Sequence, residues 1–317
     1  MLNASLELLD NHPAFQLSNL KTQGEPMPPQ DKPVKLAVIG GSGVYDMETL
    51  TEIEERRLTT PFGEPSDAIT IGTLAGRRVA FLPRHGRGHR LTPTEVNSRA
   101  NIWALKSLGV ERIISVTACG SLREEIAPRH VVIPDQIFDH TRARGPYTFF
   151  GDGVVVHIGF DEPYCPHLSE LLYEAVKTSG GTAHKGGTFI TIEGPRFSTK
   201  AESQVYRQWS CDVIGMTAVP EAQLAREAEI CYAAMAHVTD YDVWHATEEA
   251  VNIEILIANL QANAALAKRA IEYVAGHLPD ERRCACGSAL ATAILTQPQA
   301  ITDELKERHK LLLGKYL

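Results

Sequence analysis

Between Val34 and Gly276 short apolar runs of strand length alternate with segments of helical periodicity, and few folds tolerate that order. The runs cover residues 34–39, 68–74, 79–83, 112–117, 130–134, 188–192, 213–216 and 230–238. Residues 93–108, 166–177, 200–209 and 220–229 read as helices between them. Ile253, Leu256, Leu260, Ala264, Ala267, Ile271 and Val274 recur at intervals of three or four, the apolar stripe of one long helix. Strands alternating with helices predict an α/β fold whose central sheet is mixed, partly parallel, and flanked by helices on both faces.

No internal repeat and no Gly/Ser linker interrupts 34–276, so this stretch reads as a single domain. Residues 1–33 are polar and contain Pro26-Met27-Pro28-Pro29, which predicts a poorly ordered arm. Residues 277–317 read as a tail, with a helix over 300–313 carrying Ile301, Leu305 and Leu312 on one side. The 44% of hydrophobic residues suffices for a large core. Thirty-one Lys+Arg against 39 Asp+Glu give a net charge of −8, which argues against a general nucleic-acid binder. No apolar run approaches the ~20 residues of a membrane span. The start lacks the basic-then-apolar order of a signal peptide, so the chain is expected to be cytoplasmic and its six Cys to be thiols.

In sheets of this class ligands lie beyond the carboxyl ends of strands. The first such place is Gly40-Gly41-Ser42-Gly43, where glycines admit an anion to the backbone and Ser42 adds a hydroxyl. A dinucleotide fingerprint would need a third glycine near Asp46, and no Gly-Lys-Ser/Thr follows for a nucleotide-triphosphate loop. A plain tight turn stays open for this segment. The second place is Arg84-His85-Gly86-Arg87-Gly88-His89-Arg90, three Arg and two His in seven residues, either an anion site or a solvated basic turn. No Cys or carboxylate stands within it to complete a metal site, and no metal is expected. The third place is Thr117-Ala118-Cys119-Gly120-Ser121, whose small side chains leave N–H groups accessible. Nothing near Cys119 would lower its pKa, so it reads as a small buried residue. Glu193–Ser198, Gly215-Met216-Thr217 and Thr239-Asp240-Tyr241-Asp242 follow further runs. Asp240 and Asp242 would point to one side of an extended segment, where paired carboxylates push their pKa values apart; a turn or helix cap is the alternative.

Together these segments resemble the 5′-methylthioadenosine phosphorylases of the trimeric purine-nucleoside phosphorylase superfamily. The resemblance runs from about Val34 to Ala275 and also includes Thr60-Pro61-Phe62-Gly63, Ala100-Asn101-Ile102-Trp103 and Thr217-Ala218-Val219-Pro220-Glu221. It implies a phosphorylase/hydrolase-like fold and phosphate-dependent cleavage of a purine nucleoside, with phosphate as co-substrate and neither organic cofactor nor metal. By the same resemblance Ser42, Arg84, His85, Thr117, the backbone at Ala118, and Thr217 hold phosphate. Met216 lies against the ribose and Phe197 flanks the purine. Asp240 and Asp242 form the catalytic pair, Asp242 at N7 and Asp240 near the exocyclic amine. Ser198 stands where 6-oxopurine enzymes carry Glu, which disfavours a 6-oxopurine or methylthioinosine phosphorylase. His89, Ile253, Leu256 and Ile257 surround the 5′ end, and His157 reaches in from a neighbouring subunit of a homotrimer, or of two trimers paired. Cys284-Ala285-Cys286 resembles a Cys-x-Cys that can be oxidised in some archaeal relatives; in a cytosolic chain two free thiols are expected. The arm 1–33 matches no counterpart, and beyond Pro279 the tail does not follow the eukaryotic members.

Overall fold

Every residue of the first strand, β1 (Leu36–Gly40), is buried. It pairs in parallel with a strand on either side, β4 (Arg77–Pro83) and β5 (Arg112–Ser121), and is covered on both faces. That burial is why its sequence is a continuous apolar run rather than an alternating one. The other strands are β2 (Thr51–Arg56), β3 (Ile69–Leu74), β6 (Val131–Ile133), β7 (Gln136–His140), β8 (Ala183–Lys185), β9 (Thr188–Ile192), β10 (Val213–Gly215) and β11 (Cys231–Asp240). The helices are α1 (Ser98–Ser107), α2 (Pro166–Thr178), α3 (Lys200–Gln208), α4 (Glu221–Glu227), α5 (Ile253–His277) and α6 (Asp303–Leu313). This computed structural model describes residues 33–41, 43–44, 47–245 and 253–317, with 253–257 as backbone only. Apart from Pro33, the expected arm lies outside the described residues.

The sheet runs β2-β3-β4-β1-β5-β10-β9-β7, and β11 lies on β5 as a branch that continues through β6 to β8. β1, β4, β5 and β11 pair in parallel, whereas β2–β3, β3–β4, β5–β10 and β6–β11 are antiparallel. The sheet is therefore mixed, as the sequence predicts. Alternate residues of β1 feed two cores. Ala37 and Ile39 join the side chains of α1, α4 and α6, while Leu36 and Val38 join those of α2 and α5. The period of two along a strand thus places helices on both faces.

Three strands escape the sequence reading. β2 reads Thr-Glu-Ile-Glu-Glu-Arg and is largely exposed, so no apolar run announces it; antiparallel pairing to β3 makes it the charged edge of the sheet. β7 and β8 are likewise short, with few buried residues, and exist through their pairing to β9 and β6. The helix expected over 93–108 begins only at Ser98, because the Asn97 side chain accepts from the Ala100 N–H and caps it. Residues 93–97 are turn and loop instead. In the tail, Ile301 precedes α6 rather than lying on it, yet Ile301, Leu312 and Leu313 are buried in the same core as α1 and α4, with Leu305 packed against it. Among the described residues no helix is long and apolar enough to cross a membrane.

Candidate active site

The basic loop after β4 divides by function. Arg87 donates to Thr70 Oγ1 and pairs with Glu55, and its backbone N–H donates to Asp67. Arg90 donates to Ser66 O. Arg87 therefore fastens the loop to β3 and β2, and Arg90 fastens it to the segment before β3. Arg84 turns inward instead and is buried. Its Nε and Nη2 donate to the two carboxylate oxygens of Glu221, each at 2.9 Å, Nη1 donates to Val116 O, and Nη2 also lies within reach of Ser115 Oγ and Ile39 O. Burial alone would raise the Glu221 carboxyl, but the adjacent guanidinium outweighs it and holds the group below its usual value. A guanidinium has five N–H donors. The planar fork expected to grip phosphate therefore grips Glu221, leaving one Nη1–H for an anion.

His85 follows Arg84, and its Nδ1 lies 2.9 Å from Leu91 O. A carbonyl only accepts, so Nδ1 carries the proton. Burial first, then the Arg84 charge, push this ring down to about 4, so it is neutral near pH 7 with Nε2 as an acceptor. That arrangement suits a protonated phosphate oxygen. His89 stacks on it with ring centroids 4.5 Å apart. Thr117 on β5 and Thr217 after β10 are 100 positions apart in sequence, yet their hydroxyls meet at 2.8 Å, both buried. Ala118, next along β5, is exposed. Arg84, His85, Arg144, Met216, Thr217 and Glu221 line one recess. Ser42 lies outside the described residues.

Asp240 ends β11, but Asp242 does not continue the strand. It has φ +52°, a left-handed conformation, so an extended segment does not bring the two carboxylates together as expected. A turn does so instead. The Asp242 N–H donates to Asp240 Oδ1 at 2.8 Å, and Thr239 Oγ1 donates to Asp240 Oδ2. Tyr241 and Trp244 tie this turn to the far end of β5, through Glu124 O and Ser121 O respectively. Both Asp240 oxygens are thus engaged. Asp242 Oδ2 is buried with no hydrogen-bond partner. Burial, reinforced by the Asp240 charge, raises the Asp242 carboxyl. The Ser203 hydroxyl and the Val243 N–H pull the other way, but burial outweighs them. A buried carboxyl that holds its proton more tightly than usual has the properties of a general acid. Gly120 permits the approach: a Cβ there would meet Asp240 Oδ1 at 3.1 Å and Asp242 Cβ at 3.2 Å.

Around these groups Met216 is half-buried against Gly194, which has φ +66° and no space for a side chain. Ser198 Oγ is buried without a partner, and Phe197 stands 77% exposed. His157 is also exposed, in a segment whose backbone pairs with the tail through Ala293 O. The backbone of α5 includes Ile253, Leu256 and Ile257, but their side chains lie outside the described residues. Cys119 is buried and its thiol is raised well above its ordinary value by burial, consistent with a packing residue. The sequence reading gave no role to Glu221 or Arg144. Arg144 is buried and donates to the backbone oxygens of Met216, Ile192 and Glu193, bracing the loops that carry Thr217 and Phe197. No local pattern marks either residue, since each acts on partners many positions away.

Residues 35–275 match the Phosphorylase superfamily. The chain is 53% identical over 282 residues to an S-methyl-5′-thioadenosine phosphorylase from Koribacter versatilis, covering 89% of this chain and 96% of that protein. It is 54% identical over 282 residues to the one from Geobacter sulfurreducens, covering 89% and 99%. A solved methylthioadenosine phosphorylase from an Antarctic soil metagenomic library superposes with a TM-score of 0.83 at 48% identity, covering 89% of this chain and all of that one. These likenesses span the strands and loops that carry the recess and the Asp240–Asp242 turn. The chain belongs to the phosphorylase superfamily and, within it, to the S-methyl-5′-thioadenosine phosphorylases.

Proposed function

We propose that this chain cleaves 5′-methylthioadenosine with inorganic phosphate, releasing adenine and 5-methylthioribose 1-phosphate in the cytosol. The observation that carries the reading is the buried Asp242 carboxyl, raised above its usual value, in the turn that follows β11, the strand paired with β5 and its Thr117 hydroxyl. Phosphate is held by the remaining Arg84 donor, by Ser42, Thr117 and Thr217 hydroxyls, by the Ala118 backbone, and by neutral His85 Nε2, which accepts from a protonated oxygen. A phosphate oxygen attacks the anomeric carbon from the face opposite the base. As the C–N bond breaks, its electron pair moves onto the purine, and Asp242 delivers its proton to N7 so that adenine leaves neutral. Positioning and fixed charge supply most of the acceleration, with one proton transfer added. Asp240 addresses the exocyclic amine, Phe197 flanks the purine, Ser198 sits beside it, and Met216 lies under the ribose. His89, Ile253, Leu256 and Ile257 form the wall around the methylthio group.

A panel of methylthioadenosine, adenosine, inosine and methylthioinosine, each with and without phosphate, tests this reading through the base released. Methylthioadenosine is expected to be consumed fastest, and only with phosphate. Base release at the same rate without phosphate, or a preference for the 6-oxopurines, overturns it.

Phe197 and His157 are exposed in the single chain, and a neighbouring copy is the proposed cover for the former and the recipient of the latter. Light scattering of the active protein should give three chains, or a multiple of three. A fully active monomer removes the subunit-bridging role of His157.

A further inference from the structure

Four cysteines from three distant stretches meet at the end of β11 remote from Asp242. Cys165 stands at the N-cap of α2, Cys231 opens β11, and Cys284 and Cys286 lie at the start of the tail around the 3-10 turn Ala285–Ser288. Their four Sγ atoms all lie within 4.8 Å of one another, and those of Cys231 and Cys284 are 3.3 Å apart. Four sulfurs at about 2.3 Å from one tetrahedral ion would be about 3.8 Å apart, so the observed cluster brackets that figure with small side-chain adjustment. Thiols serving only as small core residues have no reason to converge on one point. Cys165, Cys231 and Cys286 are buried, while Cys284 is partly exposed and leaves a way in from solvent.

Two arginines brace the segments that carry these cysteines. Arg112 is buried and in register with Cys231 on the adjacent strand, and it donates to Pro279 O in the tail. Arg282, two residues before Cys284, donates to Glu229 O just before β11. One divalent ion with four thiolates carries a net charge of −2, and both guanidinium groups also pair with Glu111, so the two arginines do not by themselves neutralise it.

We propose that Cys165, Cys231, Cys284 and Cys286 bind one Zn2+ ion. Four protein ligands complete the tetrahedron and leave no open position, so the site is structural. The ion displaces the thiol protons to solvent, with no change of oxidation state. It ties the tail and α2 to the start of β11, whose ten residues span about 30 Å to the Asp240 end. The sequence expectation of no metal is drawn at the 84–90 loop, and that of free thiols takes Cys284 and Cys286 without Cys165 and Cys231. These two partners stand far away in sequence and carry no spacing signature of their own.

The test uses the full chain purified anaerobically without chelator. One Zn per chain is expected by elemental analysis, with all six thiols titratable once the protein is denatured and the metal removed. Apoprotein given Co2+ should show the visible absorption and thiolate-to-metal charge transfer of a tetrahedral four-sulfur site. Cys284→Ser should lose Zn and that spectrum, whereas Cys211→Ser, buried in a different cluster, should keep both. A metal-free protein with only two titratable thiols, lighter by four hydrogens, would replace the metal site with two disulfides. A metal-free protein with six thiols and no Co2+ spectrum would reduce the cluster to packing. Should Cys284→Ser fail to fold, the wild-type Co2+ titration alone decides between these outcomes.

Discussion

Asp242→Asn lowers turnover on methylthioadenosine by roughly 10²–10⁴-fold, the usual worth of general acid help. Asparagine keeps the size and hydrogen-bonding reach of the carboxyl at the turn but has no proton to give, so adenine must leave as an anion. Binding weakens less, because the amide N–H still reaches N7. An amide also offers a donor to a 6-oxo group, so relative activity on inosine-type substrates rises. The pH profile supplies a second readout. The acid must be protonated to act, and burial raises its pKa in the folded protein. Wild-type turnover should therefore be complete below that raised pKa and fall as pH rises through it, and the variant should lack this alkaline limb. Wild-type turnover with an unchanged profile in Asp242→Asn would leave the residue a merely structural part of the turn and end the proposed mechanism.

Arg84→Ala is expected to act twice. Loss of one charge-assisted hydrogen bond to phosphate, about 1.5–3 kcal/mol, lowers kcat/KM for phosphate roughly 10- to 150-fold while KM for the nucleoside changes little. It also strands the buried Glu221 carboxylate without its counter-charge, leaving it the neutral hydroxyls of Tyr232, at 2.8 Å, and Ser115. Breaking a buried pair by removing one partner costs about 3–5 kcal/mol, so the melting temperature should drop sharply. Arg84→Lys separates the two effects: it keeps a charge beside Glu221 and restores part of the stability, but cannot satisfy the two carboxylate oxygens and an anion together. Initial rates across a phosphate series, with a melting curve for each variant, decide the matter. An unchanged phosphate saturation curve in Arg84→Ala would remove the residue from the phosphate site.

These two residues differ in how visible their tasks are beforehand. The basic loop after β4 is conspicuous as a string of charges, yet it contains three arginines with similar surroundings. Nothing local distinguishes Arg84, which turns inward, from Arg87 and Arg90, which bind β3 and the segment before it. The Asp pair is legible as chemistry but not as geometry. Its spacing suggests an extended segment, whereas a left-handed Asp242 and a hydrogen bond to Asp240 place the two carboxyls in different surroundings, one buried and raised, the other engaged at both oxygens.

The amino-acid sequence alone determined the order of eight of the eleven described strands and of the six helices, the mixed α/β class and the small-residue loops at strand ends. Periodicity and turn chemistry are short-range properties, written within a dozen or so neighbouring residues. Tertiary structure decided what depends on groups distant along the chain. Strand pairing created β2 out of a charged segment with no apolar signal. Folding brought Arg84 onto Glu221, 137 positions away, and Thr117 onto Thr217. It also gathered four cysteines from three stretches at one point. A contact between distant residues leaves no mark on either one's neighbours, because its energy is realised only once the intervening chain has been ordered.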